Sequence, residues 1–286
     1  MSYSYFPGCS LHSTGLEYGL STRAVFRHLG LELTELPDWN CCGASSAHTL
    51  EPAAALGLPA RTLALAQDSQ ADLVTPCAAC YNRLKGVDTI LRNEPARRAQ
   101  IERLVGFTYN ASVAIRPVLA VLYEDYGLER LASQVRQPLH GLKVVAYYGC
   151  LLVRPAQVAQ FDDPENPHVM AGLLGAAGVE VMPWSYATDC CGGSLSLSRS
   201  DVVQHLVQKL ADRAREAGAE ALVTACPLCQ VNLEMRQTRA PKMPAFYFTE
   251  LLGFAFGLPE AKQWWGKHLI DPRPLLHKIE NLEMRV

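Results

Sequence analysis

The ten cysteines of this chain form two sets of five with one spacing. Cys9, Cys41, Cys42, Cys77 and Cys80 make the first set. Cys150, Cys190, Cys191, Cys226 and Cys229 make the second. Each set reads C, a gap, CC, a gap, CxxC. The first gap is 31 residues in one set and 39 in the other, and the second gap is 34 in both. The flanks repeat too. VTPCAACYNRL (74–84) matches VTACPLCQVNL (223–233), PGC (7–9) matches YGC (148–150), and CCGAS (41–45) matches CCGGS (190–194). Such a pattern marks an internal duplication, so the two halves must share one fold.

Short runs of strand type lie ahead of the cysteines: SYSYF, LELTEL and ADLVTP in the first half, LKVVAYY, VEVMPW and ALVTA in the second. Helical stretches separate them. The clearest covers 201–216, with Val202, Val203, Leu206, Val207, Leu210 and Ala214 on one face, Ser200 as its cap and Gly218 after its end. Alternating strands and helices predict parallel α/β units. Each cysteine motif then falls in the loop after a strand, where open α/β sheets bind ligands. Residues 1–92 are expected as the first domain, 93–140 as a helical connector, 141–257 as the second domain and 258–286 as an irregular tail.

Several functions are excluded early. A net charge of −2 gives no attraction to nucleic acid or an anionic membrane. The start, MSYSYFPGCS, has no basic segment followed by an apolar one, and no apolar run is long enough to span a bilayer. The expectation is a cytoplasmic protein without a transmembrane segment. Reducing compartments disfavour disulfides, and five cysteines per set cannot pair among themselves. Zinc takes four ligands, which leaves a fifth thiolate without a role. A dithiol redox pair would use each CxxC and leave three cysteines idle. An iron–sulfur cluster takes thiolates as its usual ligands. Five of them exceed one per iron of a cubane, so a sulfur must bridge or one iron must take two. Gly43 and Gly192 would let the backbone pass close to the cluster, and each CxxC at a helix start would offer N–H groups to an anion.

Two copies of C…CCG…CxxC over nearly the whole chain resemble the cysteine-rich CCG domains of the B subunit of heterodisulfide reductase. The resemblance implies two Rossmann-like parallel-sheet CCG domains related by pseudo-twofold symmetry. It also implies two non-cubane [4Fe-4S] clusters, one on Cys9, Cys41, Cys42, Cys77 and Cys80 and one on Cys150, Cys190, Cys191, Cys226 and Cys229. The methanogen members cleave the disulfide between coenzymes M and B between facing clusters. They carry a histidine after the first cysteine of the second repeat, where this chain has Leu151. YFPGCSLHSTG, PDWNCCGASSAH and FDDPENP look more like bacterial sulfur-oxidising relatives, associated with a lipoate-bound sulfur substrate. A further relative belongs to an unusual succinate dehydrogenase at the membrane.

The expected function is an electron-transferring, thiol–disulfide-active subunit. The sequence carries no flavin or nucleotide fingerprint, so flavin- and ferredoxin-type partner subunits are expected, with a lipoate-binding protein as a candidate substrate carrier. The rivals are an electron relay in a membrane-associated dehydrogenase and a structural zinc protein. Beyond the cysteines, His12 and Arg154 are candidate catalytic residues, as a proton donor and an anion-attracting charge. His48 is a further candidate donor beside the first set. For these three, a loop histidine bonded to backbone and a surface ion pair are the plainer readings. FDDPENP (161–167) reads as a turn with a helix cap.

Overall fold

The computed structural model describes residues 1–44 and 46–283, with side chains described as far as residue 278. Ser45, within the repeated CCGAS, lies outside the described residues. The first half holds strands β1 (Ser2–Tyr5), β2 (Glu32–Glu35), β3 (Leu73–Thr75) and β4 (Ile115–Pro117). The second holds β5 (Lys143–Tyr147), β6 (Glu180–Val181), β7 (Ala221–Thr224) and β8 (Ala245–Tyr247). They form two four-stranded sheets of identical order, β2-β1-β3-β4 and β6-β5-β7-β8, parallel throughout. Tyr5 is in register with both Glu35 and Val74, and Thr224 with both Tyr147 and Tyr247.

Burial follows strand position. Every residue of β3 and β7 is buried, as expected of central strands covered on both faces. The edge strand β2, ELTE, alternates exposed and half-buried residues. The chain runs outward from β1 to β2, then returns across β1 to β3. The order therefore reverses between β1 and β3, and again between β5 and β7. Loops leaving the carboxyl ends of strands at such a switch point diverge and leave a crevice. Cys9 follows β1, the Cys41–Cys42 pair follows β2, and Cys77 follows β3. In the second half, Cys150, the Cys190–Cys191 pair and Cys226 follow β5, β6 and β7.

The halves exchange helices across their interface. The helix Leu16–His28 of the first half packs on Phe248–Ala255, which follows β8. Ser21 Oγ and Thr249 Oγ1 meet there at 2.6 Å. Reciprocally, the helix Val169–Ala176 packs on Val121–Tyr126, which follows β4. A single hydrophobic core runs through both halves. Among the described residues no helix is long and apolar enough to cross a membrane.

The expected helical connector, 93–140, holds the helix Pro95–Val105 but also β4, which completes the first sheet. This strand is short, IRP, and ends in proline, so it has no strand signature. The tail expected to be irregular carries the helices Ala261–Trp264 and Arg273–Glu283. Its Trp264 and Trp265 are buried in the core. The strongly amphipathic helix is Ser200–Glu216; Arg199, not Ser200, occupies the cap position, and Gly218 follows with φ +81°.

Candidate functional site

All ten cysteines are free thiols gathered at the carboxyl edges of the two sheets. In the first set, Cys9 Sγ lies 3.4 Å from Cys41 Sγ, and Cys42 Sγ lies 3.3 Å from Cys80 Sγ. The second set repeats this with Cys150 and Cys190 at 3.9 Å and Cys191 and Cys229 at 3.3 Å. One member of each CC pair faces the cysteine after the first strand, and the other faces the end of CxxC. Cys9, Cys41 and Cys190 are exposed and Cys150 half-buried, while the six others are buried. Each set thus has an outer, accessible pair and an inner, covered pair. Cys77 and Cys226 lie within reach of each other where the two halves meet, so the two sets adjoin.

Two glycines make room for the sulfurs. Gly8 has φ +75°, and a Cβ there would sit 2.7 Å from Cys80 Sγ. Gly149 has φ +64°, and its Cβ would meet Cys229 Sγ at 3.0 Å. Any side chain here would fill the space beside an inner cysteine. Gly43 and Gly192, expected for close backbone approach, act differently. Their missing Cβ atoms face Ala47 and Leu58, and Leu206 and Val203, rather than sulfur. Their N–H groups instead donate to Cys41 Sγ at 3.4 Å and Cys190 Sγ at 3.3 Å.

The surroundings favour negative charge on one outer sulfur of each set, Cys41 and Cys190, while hydrogen bonding to neighbouring sulfurs and burial keep Cys9, Cys80 and Cys150 protonated. Cys77 and Cys226 are the N-cap residues of the helices Ala78–Asn93 and Pro227–Met235, and the N–H groups of Cys80 and Cys229 in the first turns bond back to them. Hydrogen bonding from Cys42 and Cys9 holds the Cys41 thiol well below its usual range. Hydrogen bonding from Cys150, aided by the N–H groups of Gly192 and Gly193, brings Cys190 down to about 6 against the effect of burial. A donor set of five thiols per half, two backbone N–H donors, a helix N-terminus and a glycine cradle fits a polynuclear thiolate-bound anion such as an iron–sulfur cluster.

Arg83 and Asn232 belong to this site and were not singled out from the sequence. They occupy the same position in the aligned VTPCAACYNRL and VTACPLCQVNL, six residues after the first cysteine of each CxxC. Asn232 Nδ2 donates to the Cys191 carbonyl at 3.3 Å and faces its Sγ at 3.8 Å. Arg83 donates to the Ala44 carbonyl at 3.3 Å, and its Nε is buried without a partner. Burial lowers its guanidinium pKa, while Cys42 and Cys150, one from each set, oppose that. The duplicate alignment carried the signal, because a lone arginine replaces an amide at the same register.

The candidate catalytic residues stand on the segments that follow Cys9 and Cys150, each with a partner of its own. His12 pairs with Glu35 at 3.5 Å and lies beside the Trp39 ring. Arg154 binds Glu165 at 2.9 Å and the Pro164 carbonyl at 3.1 Å, an ordinary ion pair. His48 is exposed, and its N–H donates to the Gly43 carbonyl at 3.2 Å. Leu151 is half-buried beside Cys150, its carbonyl accepting from Asn82 at 3.0 Å. FDDPENP is a turn and cap: Asp162 accepts from the N–H groups of His168 and Val169, where the helix Val169–Ala176 begins.

The sequence profile of a family described as CCG, cysteine-rich domain, matches residues 3–85 and 144–234. Among curated proteins, the chain is 30% identical to the "8-methylmenaquinol:fumarate reductase membrane anchor subunit" of Wolinella succinogenes, over 96% of this chain and 98% of that one. It is 28% identical to the B subunit of the ferredoxin/F(420)H(2)-dependent CoB-CoM heterodisulfide reductase of Methanosarcina acetivorans, over 96% of both. Among solved structures, a hypothetical protein from Helicobacter pylori superposes with a TM-score of 0.72 at 12% identity. That match covers 94% of this chain and 52% of the other, so this chain spans about half its length, and the likeness is one of fold.

Proposed function

The chain belongs to the family built from the cysteine-rich CCG domain, and from that premise we propose that it is an iron–sulfur, electron-transferring subunit of a heterodisulfide reductase-like complex. The observation that carries this reading is the pair of complete five-thiol sets, each with an accessible outer pair, adjoining at Cys77 and Cys226. Cys9, Cys41, Cys42, Cys77 and Cys80 would hold one non-cubane [4Fe-4S] cluster, and Cys150, Cys190, Cys191, Cys226 and Cys229 the other. When bound, such clusters supply one-electron redox steps.

Cleaving a disulfide takes two electrons and two protons, so two adjoining one-electron centres suit the reaction. Gly43 and Gly192 hold negative charge on Cys41 and Cys190 through their N–H groups. Arg83 offers a fixed positive charge between the sets, suited to a thiolate leaving from a substrate disulfide. Leu151 presents no donor next to Cys150, which favours an apolar dithiol, such as a lipoyl group on a carrier protein, over the sulfonate of coenzyme M. Electrons pass to or from flavin- and ferredoxin-type partner subunits. The relationship to the B subunit of heterodisulfide reductase supports this reading.

A second reading is an electron relay in a membrane-associated dehydrogenase, favoured by the similarity to the fumarate reductase subunit of Wolinella succinogenes. Turnover separates the two. The anaerobically isolated complex is expected to reduce a protein-bound lipoyl disulfide, and the coenzyme M/coenzyme B disulfide weakly or not at all. A complex that passes electrons efficiently but turns over no disulfide supports the relay.

A further inference from the structure

A buried charged group stands behind the second cysteine set. The helix Pro227–Met235 starts at Cys226 and carries Gln230 and Glu234 on the same face, at successive steps of four residues. His268 sits against this face. Its Nδ1 lies 2.7 Å from Glu234 Oε1, and its Nε2 lies 2.9 Å from Glu250 Oε1. All three side chains are nearly or fully removed from solvent. Gln230 Nε2 donates to Glu234 Oε1 at 3.1 Å and extends the row toward Cys226. Burying two carboxylates around one imidazole leaves net negative charge in the interior even with the imidazole doubly protonated, which is costly.

Glu17 supplies the outlet. It stands on the helix Leu16–His28 and lines a groove of about 440 Å³ together with Ser13, Gln230, Glu234, Lys267 and Leu269. The groups facing it are Glu234, Glu250 and His268 within, and Lys267 on the groove. Two polar atoms between this cluster and the second set are buried without a partner, Gln230 Oε1 and Tyr247 Oη. A Cβ at Gly15 would lie 3.0 Å from both Tyr247 Oη and Pro227 Cβ, which places that hydroxyl beside the residue after Cys226. Buried polar groups left open in this way are sites for a hydrogen-bonded path.

We propose that Glu17, backed by Glu234, His268 and Glu250, is the entry for the proton that accompanies an electron arriving at the second cysteine set. This rests on the iron–sulfur reading above. As a one-electron donor on a partner subunit reduces that site, the Glu17 carboxylate takes one proton from water in the groove and becomes a carboxylic acid. One negative and one positive charge enter, so the interior gains no net charge. Burial above all, then the nearby Glu250 and Glu234 carboxylates, push Glu17 up to about 7 against a backbone N–H hydrogen bond and His268, so it can exchange a proton near neutral pH.

The test is a potentiometric titration of the iron-loaded full chain, followed by electron paramagnetic resonance across neutral pH. In the unaltered protein the midpoint potential of the second site should fall with pH, by up to about 59 mV per unit, the value of a tenfold step for one electron. Glu17→Gln should flatten that slope with iron content unchanged, and Glu17→Asp should restore it. Infrared difference spectra on reduction should gain a carboxylic-acid band that Glu17→Gln removes. An iron-loaded Glu17→Gln protein with the original slope and band overturns the proposal alone. A chain that binds no iron when loaded before the titration overturns both this proposal and the reading beneath it.

Discussion

At Gly8 the backbone takes a positive φ and leaves no room for a Cβ beside Cys80 Sγ. Alanine there meets two penalties, about 1–3 kcal/mol for a positive-φ, extended-ψ backbone that is essentially glycine's alone and a clash with a sulfur that must stay in place. Gly8→Ala should therefore lose iron from the first set and leave the second loaded, and Gly149→Ala should do the reverse more mildly, as its contact is the longer one. Iron analysis combined with spectra of each site checks both. Loss of all iron from a folded Gly8→Ala protein would contradict the independence of the two sets. Cys42→Ser and Cys191→Ser make the same point through the ligands, because a hydroxyl is a harder and poorer donor to iron than a thiolate. Each should abolish one cluster signal and preserve the other.

At the scale of elements, His268 ties the segment after Trp265–Lys267 to the helices Pro227–Met235 and Phe248–Ala255. Burial alone would lower its pKa, but Glu250 and Glu234 more than offset this and raise it to about 11. The folded state thus holds a proton that the unfolded chain gives up near 6.5. The stabilisation is full below pH 6.5 and is lost as pH rises toward 11, at up to about 1.4 kcal/mol per pH unit. Denaturant unfolding of the full chain between pH 7 and 9 should show stability falling. His268→Gln should remove that part of the slope and cost about 3–5 kcal/mol, since it leaves two buried carboxylates together. An unchanged slope would deny the imidazole its charge. This clamp was not legible in the sequence, because His268 comes from a tail without periodicity and meets carboxylates far from it in the chain. The two clusters of cysteines were legible, because duplication prints the same spacing twice. The central strands were legible from their apolar runs, whereas β4, reduced to IRP, was not. Arg83 and Asn232 were half legible: the alignment sets them opposite each other, but only the fold turns them toward the sulfurs.

At the scale of the whole molecule, two cysteine sets of one spacing stand on one continuous hydrophobic core. The exchange of helices across the interface, Leu16–His28 on Phe248–Ala255 and Val169–Ala176 on Val121–Tyr126, fixes one sheet edge against the other. That places Cys77 beside Cys226, the closeness that the proposed two-electron chemistry needs. The most direct measurement is the iron and acid-labile sulfide content of the full chain purified without oxygen. Two loaded sets give about eight irons per chain, four for each cluster, with no zinc and a brown protein. Zinc in place of iron, or a colourless protein without sulfide, would contradict the account at its centre.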